Sequence, residues 1–275
     1  SLVGNAMADI FEISGSRNVT LDGSLGNDIF RFVTDDAVVM GDVLGDDGMN
    51  VLDFSQFTSG TSVSVVLESS SSGATGFFGS ASPIGGGFGQ ISSITGGDSS
   101  SDSLTGVDGG GTWLVDEPGT YTDNANTETI NFNSFENLIG NAGVDTFDIQ
   151  DGSFNLSGGN DDDLFSVADG VSLTGTINGD DSDPAGDGTM DRLSFAPSTT
   201  SIVFSTASVT NVEIIEGSGE GDDTLQGTAG NDSFEVTATG VGTVNGAGFT
   251  GFANLDGGLG DDSFQFTMDG ASLAG

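Results

Sequence analysis

Apolar residues in this chain recur in short alternating runs rather than at helical spacing. In "LDGSLGNDIFRF" (Leu21 to Phe32) an apolar residue leads into a glycine-rich turn closed by an aspartate. A short strand follows in which Phe30 and Phe32 share one face. The same phrase returns from Leu138, Leu156, Leu225 and Leu255, and a third early version, "VLGDDGMNVLDF", places Asn50 at the aspartate position. Its leading residues follow one another in steps of 18 to 22, as from Leu2 to Leu21 to Val43. Steps of that length suit one coil of a solenoid, made of two or three short strands joined by tight turns. Apolar positions then stack coil on coil, with the phenylalanines inside.

These patterns predict an all-β chain: a parallel β-solenoid, β-helix or β-roll-like, of about 18–22 residues per coil, drawn out as an elongated rod. A longer repeat contains the short one. Leu138, Leu156 and Ile177 match Leu2, Leu21 and Val43, while Ile215, Leu225 and Phe234 match Ile94, Leu104 and Trp113 at an offset of 121 residues. The expected divisions of one continuous solenoid are residues 1–137, 138–254 and the start of a third repeat at 255–275. Three stretches interrupt the pattern. Residues 55–93 are Ser- and Gly-rich and read as two coils with a long loop. The polar segment Asp116 to Thr129 reads as a bulging loop, and Asp180 to Asp191 as an acid-rich insertion in one turn. Trp113 sits at the apolar position of its motif and is expected in the core. Gly111 stands where its turn should carry an aspartate, so that turn is expected to bind nothing.

Charge changes the picture. The formal net charge is −39, with 33 Asp, 9 Glu and only Arg17, Arg31 and Arg192 as cations. Aspartate favours turns and local ligation, whereas glutamate suits solvated helices. Self-repulsion on this scale opposes a compact state unless cations neutralise it, and calcium takes oxygen ligands only. With no Cys, His or Lys there is no thiolate metal site, imidazole base or Schiff-base lysine. Nucleic acid is not expected as a partner, because phosphate binding needs a basic surface. No apolar run approaches the ~20 residues of a membrane span. The chain opens and closes inside copies of the motif, so it reads as a section of a longer protein whose targeting signals lie elsewhere.

The turns resemble the hemolysin-type (RTX) calcium-binding repeat, whose unit is GGxGxDxU with U a large apolar residue. Gly23, Gly26, Asp28 and Phe30 fit it, as do Gly140, Gly143, Asp145 and Phe147; Gly227, Gly230, Asp232 and Phe234; and Gly257, Gly258, Gly260, Asp262 and Phe264. Gly158, Gly159, Asp163 and Phe165 fit with Asp161 in place of the later glycine. The resemblance implies calcium held between coils. The candidate ligands are Asp9, Gly23, Asn27, Asp28, Asp46, Asn50, Gly140, Asp145, Asp162, Asp163, Asp180, Asp222, Asp223, Gly227, Asn231, Asp232, Gly257, Asp261 and Asp262. The phrases "FENLIGNAGVDTF" and "ADGVSLTGTINGDD" are similar to the long repeats of giant bacterial surface proteins of the adhesin or filamentous-haemagglutinin kind. That implies a non-enzymatic, extracellular or cell-surface fibre, stiffened by Ca2+ and extended by self-association or by continuation of the chain. Two other readings stand beside it: an adhesin module that binds sugar or ice, and a β-helix enzyme that degrades acidic polysaccharides with paired acids such as Asp46/Asp47 and Asp222/Asp223.

Overall fold

The computed structural model describes residues 1–70, 75–180 and 190–273; most of the acid-rich insertion at Asp180 to Asp191 lies outside these. Described elements are strands apart from one 3-10 turn, Thr206–Ser208. No helix among the described residues is long and apolar enough to cross a membrane. The chain forms two compact units, Ser1–Gly143 and Val144–Gly275, so residues 255–275 fall within the second.

In the first unit, leading residues of successive motifs pair in parallel. Leu2 lies opposite Leu21, Leu21 opposite Val43, and Val43 opposite Phe88. A second ladder runs from Phe11 to Phe30, Leu52, Ile94 and Phe132. Alternation along Ile29–Phe32 turns Phe30 and Phe32 inward to full burial, with Ile29 and Arg31 half-buried. In-register stacking puts like on like: the rings of Phe11 and Phe30 stack with centroids 5.0 Å apart, about the distance between neighbouring strands. Phe32, Phe54 and Phe57 form a second cluster, and Trp113, fully buried, packs on Tyr121.

Purely parallel stacking does not hold throughout, and two of the expected loops are sheet. The strands Ser64–Ser70, Phe77–Ala81 and Ile84–Ile91 form an antiparallel meander in place of two coils and a long loop. Its last strand pairs in parallel with Asp42–Leu44, its first with Ser103–Thr105. Likewise Gly111–Val115, Gly119–Asp123 and Thr129–Asn133 form a meander across the segment expected to bulge, and its last strand turns back to pair with Ser93–Thr95. The physical reason lies in the alternation of these segments. Tyr121 and Ile130 face inward beside Trp113, so each stretch carries a buried face that a solvated loop would waste.

The second unit repeats this plan. Phe147, Phe165, Leu193, Ile215 and Phe249 form one parallel ladder. The strands Ser233–Ala238, Val241–Val244 and Ala247–Thr250 form a meander whose last strand pairs back to Ile214–Glu216. Leu156, Ile177 and Val209 align in a second ladder, and Phe204, Leu225 and Leu255 in a third. The hairpin Phe77–Ile91 of the first unit has no counterpart among the described residues of the second; the 3-10 turn Thr206–Ser208 stands in its place. Ser198 takes the turn position that Phe57 holds in the first unit, each donating its N–H back to a phenylalanine carbonyl three residues earlier. A cavity of about 530 Å³, lined by Phe195, Ser198, Ile202 and Phe204 among others, lies there.

Candidate functional site

The motif turns at Gly23, Gly158 and Gly227 are each built around one contact between a glycine and the acid that closes the turn. A Cβ on Gly23 would lie 2.3 Å from Oδ2 of Asp28 and 3.0 Å from the carbonyl oxygen of Gly45 on the next pass. The same pinch recurs at Gly158 between Asp163 and Gly179, and at Gly227 between Asp232 and Gly257. The glycine is therefore dictated by the carboxylate folded against it, a requirement that the spacing alone does not reveal.

The acids also link successive passes. Oδ1 of Asp28 accepts the backbone N–H of Asp9, and the N–H of Asp28 donates to Oδ1 of Asn50. In the second unit the N–H of Asp145 donates to Asp163, and that of Asp163 to Asp191. An outer set runs the other way: Asn27 accepts from Met49, Asp162 from Met190 and Asn231 from Asp261. Where the next pass lacks an aspartate, glutamate takes over, Glu136 accepting from Asp102 and Glu213 from Asp191.

The second oxygen of each acid divides the turns into two kinds. After Gly4, Gly96, Gly217 and Gly227, the next residue donates its N–H to that oxygen: Asn5 to Asp9, Gly97 to Asp102, Ser218 to Asp223 and Thr228 to Asp232, at 2.7–2.8 Å. In six other turns the residue after the glycine is left-handed: Ser24 (φ 73°), Asp46 (φ 59°), Asn141 (φ 88°), Gly159 (φ 106°), Asp180 (φ 69°) and Gly258 (φ 83°). In the Asp28 turn that donor is lost. Asp28 is fully buried, and its Oδ2 has no hydrogen-bond partner. Burial, and then the neighbouring charges of Asp9 and Asp22, push its carboxyl above the ordinary aspartate range against the opposing N–H of Asp9.

Asn50 shows what surrounds that position. It is also fully buried, and its Nδ2 donates to the carbonyl oxygens of Gln90 (3.1 Å), Asp46 (3.3 Å) and Gly48 (3.5 Å). The corresponding carbonyls in the Asp28 turn are those of Gly45, Ser24 and Gly26. A carboxylate oxygen facing the carbonyls that match those around Asn50 would lack a positive partner, and an all-oxygen set of this kind is what a hard cation takes. Among the described residues no three acid side chains come together at metal-binding distance, so carbonyls would supply most of the ligands.

The remaining sequence candidates have diverse surroundings. Asp9, Asp223 and Asp232 already have both carboxylate oxygens hydrogen-bonded. Burial, and then the facing Asp22, raises the carboxyl of Asp46, whereas Asp180 at the matching place accepts from Ser157. Asp222 and Asp261 are exposed, Asp262 and Gly257 half-buried, and Gly140 buried in the first unit. Two participants escape the motif. Asp102 closes its turn six residues after Gly96 rather than five, and Tyr121 supplies the oxygen missing at Gly111, its hydroxyl accepting the N–H of Val107 at 3.0 Å. Gly111 leaves room for it, since a Cβ there would strike the tyrosine ring.

The chain matches no family model, no curated protein and no solved structure.

Proposed function

We propose that this chain is a calcium-stabilised structural segment of an extracellular or cell-surface fibre, its parallel passes forming coils of a β-solenoid. The observation that carries this reading is the Asp28 turn: a buried carboxylate oxygen without a donor, at a place where Asn50 puts an amide among carbonyls. Calcium there would neutralise part of the −39 charge and tie adjacent passes together, coupling folding to the calcium-rich exterior of a cell. Self-association supplies the length, covering apolar ladder residues such as Ile10 and Phe266 that stand exposed.

The test is thermal unfolding of the whole chain in CaCl2, in MgCl2 and in EDTA. Calcium at a hundredfold excess over its dissociation constant stabilises by about 2.7 kcal/mol per independent site. A melting temperature that is the same in calcium and in EDTA overturns the reading.

A further inference from the structure

The motif turns look alike in sequence but differ in whether they have a use for an ion. We infer that divalent-cation binding is confined to turns whose post-glycine residue is left-handed and whose closing residue is an acid, with Asp28 the ligand of such a site in the first unit and Asn50 a built-in amide substitute for the ion. The inference rests on the calcium reading above and narrows it to particular turns.

Three observations carry it. First, the Asp9, Asp102, Asp223 and Asp232 carboxylates each receive an N–H at the oxygen that would face an ion. A cation entering there would displace a hydrogen bond already formed and meet that amide proton head-on. Second, Asp28 is fully buried, its Oδ2 has no donor, and the left-handed Ser24 has turned the competing N–H away. Third, Asn50 shares the left-handed geometry at Asp46, the same glycine contact at Gly45 and the same ladder bond, yet its Nδ2 finds three carbonyl acceptors. An amide nitrogen donates where a carboxylate oxygen can only accept, so one atom exchanged between Asp and Asn decides whether the carbonyls are met by a proton donor or require a cation. Gly159 places the turn closed by Asp163 in the left-handed class by the same criterion.

The experiment counts calcium ions bound per chain, by titration calorimetry with CaCl2 alone, in the wild type and three variants. Asp28→Asn is expected to lose one ion and to melt higher than wild type in EDTA, because its amide can donate as that of Asn50 does. Asp232→Asn is expected to keep the wild-type count, and Asn50→Asp to gain one ion and melt lower in EDTA. Circular dichroism confirms that each variant is folded; if Asp28→Asn is not, the count for Asn50→Asp decides alone. A wild type that binds calcium while Asp28→Asn binds as many ions, or while Asp232→Asn loses one, overturns this inference and leaves the broader reading standing. A wild type that binds no calcium overturns both.

Discussion

The backbone N–H of Asp28 donates to Oδ1 of Asn50 across 2.9 Å, so the two residues that differ in their need for a positive partner are joined to each other. Disturbing Oδ2 of Asp28 or Nδ2 of Asn50 therefore shifts a bond on which its neighbour depends. The ladder makes each turn part of the folding of the next.

In EDTA, the stability of the wild type is expected to rise as the pH is lowered from neutral toward 4. The folded pKa of Asp28 lies above its unfolded value near 3.8, so the ionised form is the penalised one. The penalty fades as the pH falls through the raised value, where the protonated acid becomes a donor. Comparison with Asp28→Asn isolates this contribution from the general easing of acidic repulsion; parallel stability–pH curves for the two would refute it.

Asp35 and Asp169 titrate in the opposite sense. Hydrogen bonds from Thr58 to Asp35, and from Thr199 and Ser198 to Asp169, hold both carboxyls below the usual range. Their contribution is present above the unfolded value near 3.8 and is lost as the pH falls through the lowered values. Thr58→Val is expected to lower stability at pH 6 and to narrow its difference from wild type in strong acid, as read by urea unfolding at each pH.

Gly23→Ala is expected to cost 1–3 kcal/mol or more, since the new methyl meets Asp28 and the Gly45 carbonyl. Gly109→Ala is the control, because a Cβ there has nothing within 4 Å. Equal melting temperatures for the two variants would remove the steric basis given for the glycine of the motif.

Phe30→Ala should cost about 3–5 kcal/mol, the usual range for emptying a fully buried phenylalanine site. Phe264→Ala removes a ring from a comparable stack, that with Phe234, but from a half-exposed position, and is expected to cost clearly less. Chemical denaturation of both variants checks the order.

Ser24→Thr is expected to weaken calcium binding without removing any oxygen ligand. Thr228 in the matching position is not left-handed and donates its N–H to Asp232, and a β-branched side chain resists positive φ. Calcium affinity unchanged by this substitution would show that the backbone state of the turn does not gate the site.

The ladder residues were legible because alternation and length report burial directly: Phe30, Phe32, Leu52 and Phe147 are fully buried where period-two reading puts them. The direction of pairing was not legible in residues 64–91 and 111–133, since alternation is the same whether a strand runs parallel or antiparallel to its neighbour. The division of the turns was hidden for a related reason. "GSLGND" and "GTAGND" differ by little in sequence, yet Ser24 is left-handed and Thr228 is not. Asn5 and Ser218 are not left-handed although Asn141 and Ser24 are, so for these residue types environment and not identity decides. Tyr121 could not be placed in the turn at Gly106 until the meander brought it there.

The returning meanders govern the order in which the chain can assemble. Ile94 has Leu52 on one side from the moment its own strand emerges, but its other neighbour is Phe132, which the chain reaches only after two further reversals. Ile215 waits in the same way for Phe249. The sheet therefore cannot grow by simple addition of each new segment to the last; it advances in blocks, each sealed when a late strand slots in behind earlier ones. Loop closure over that distance must precede the contacts that reward it, which makes each unit slower to form and more all-or-none than a stack of identical turns.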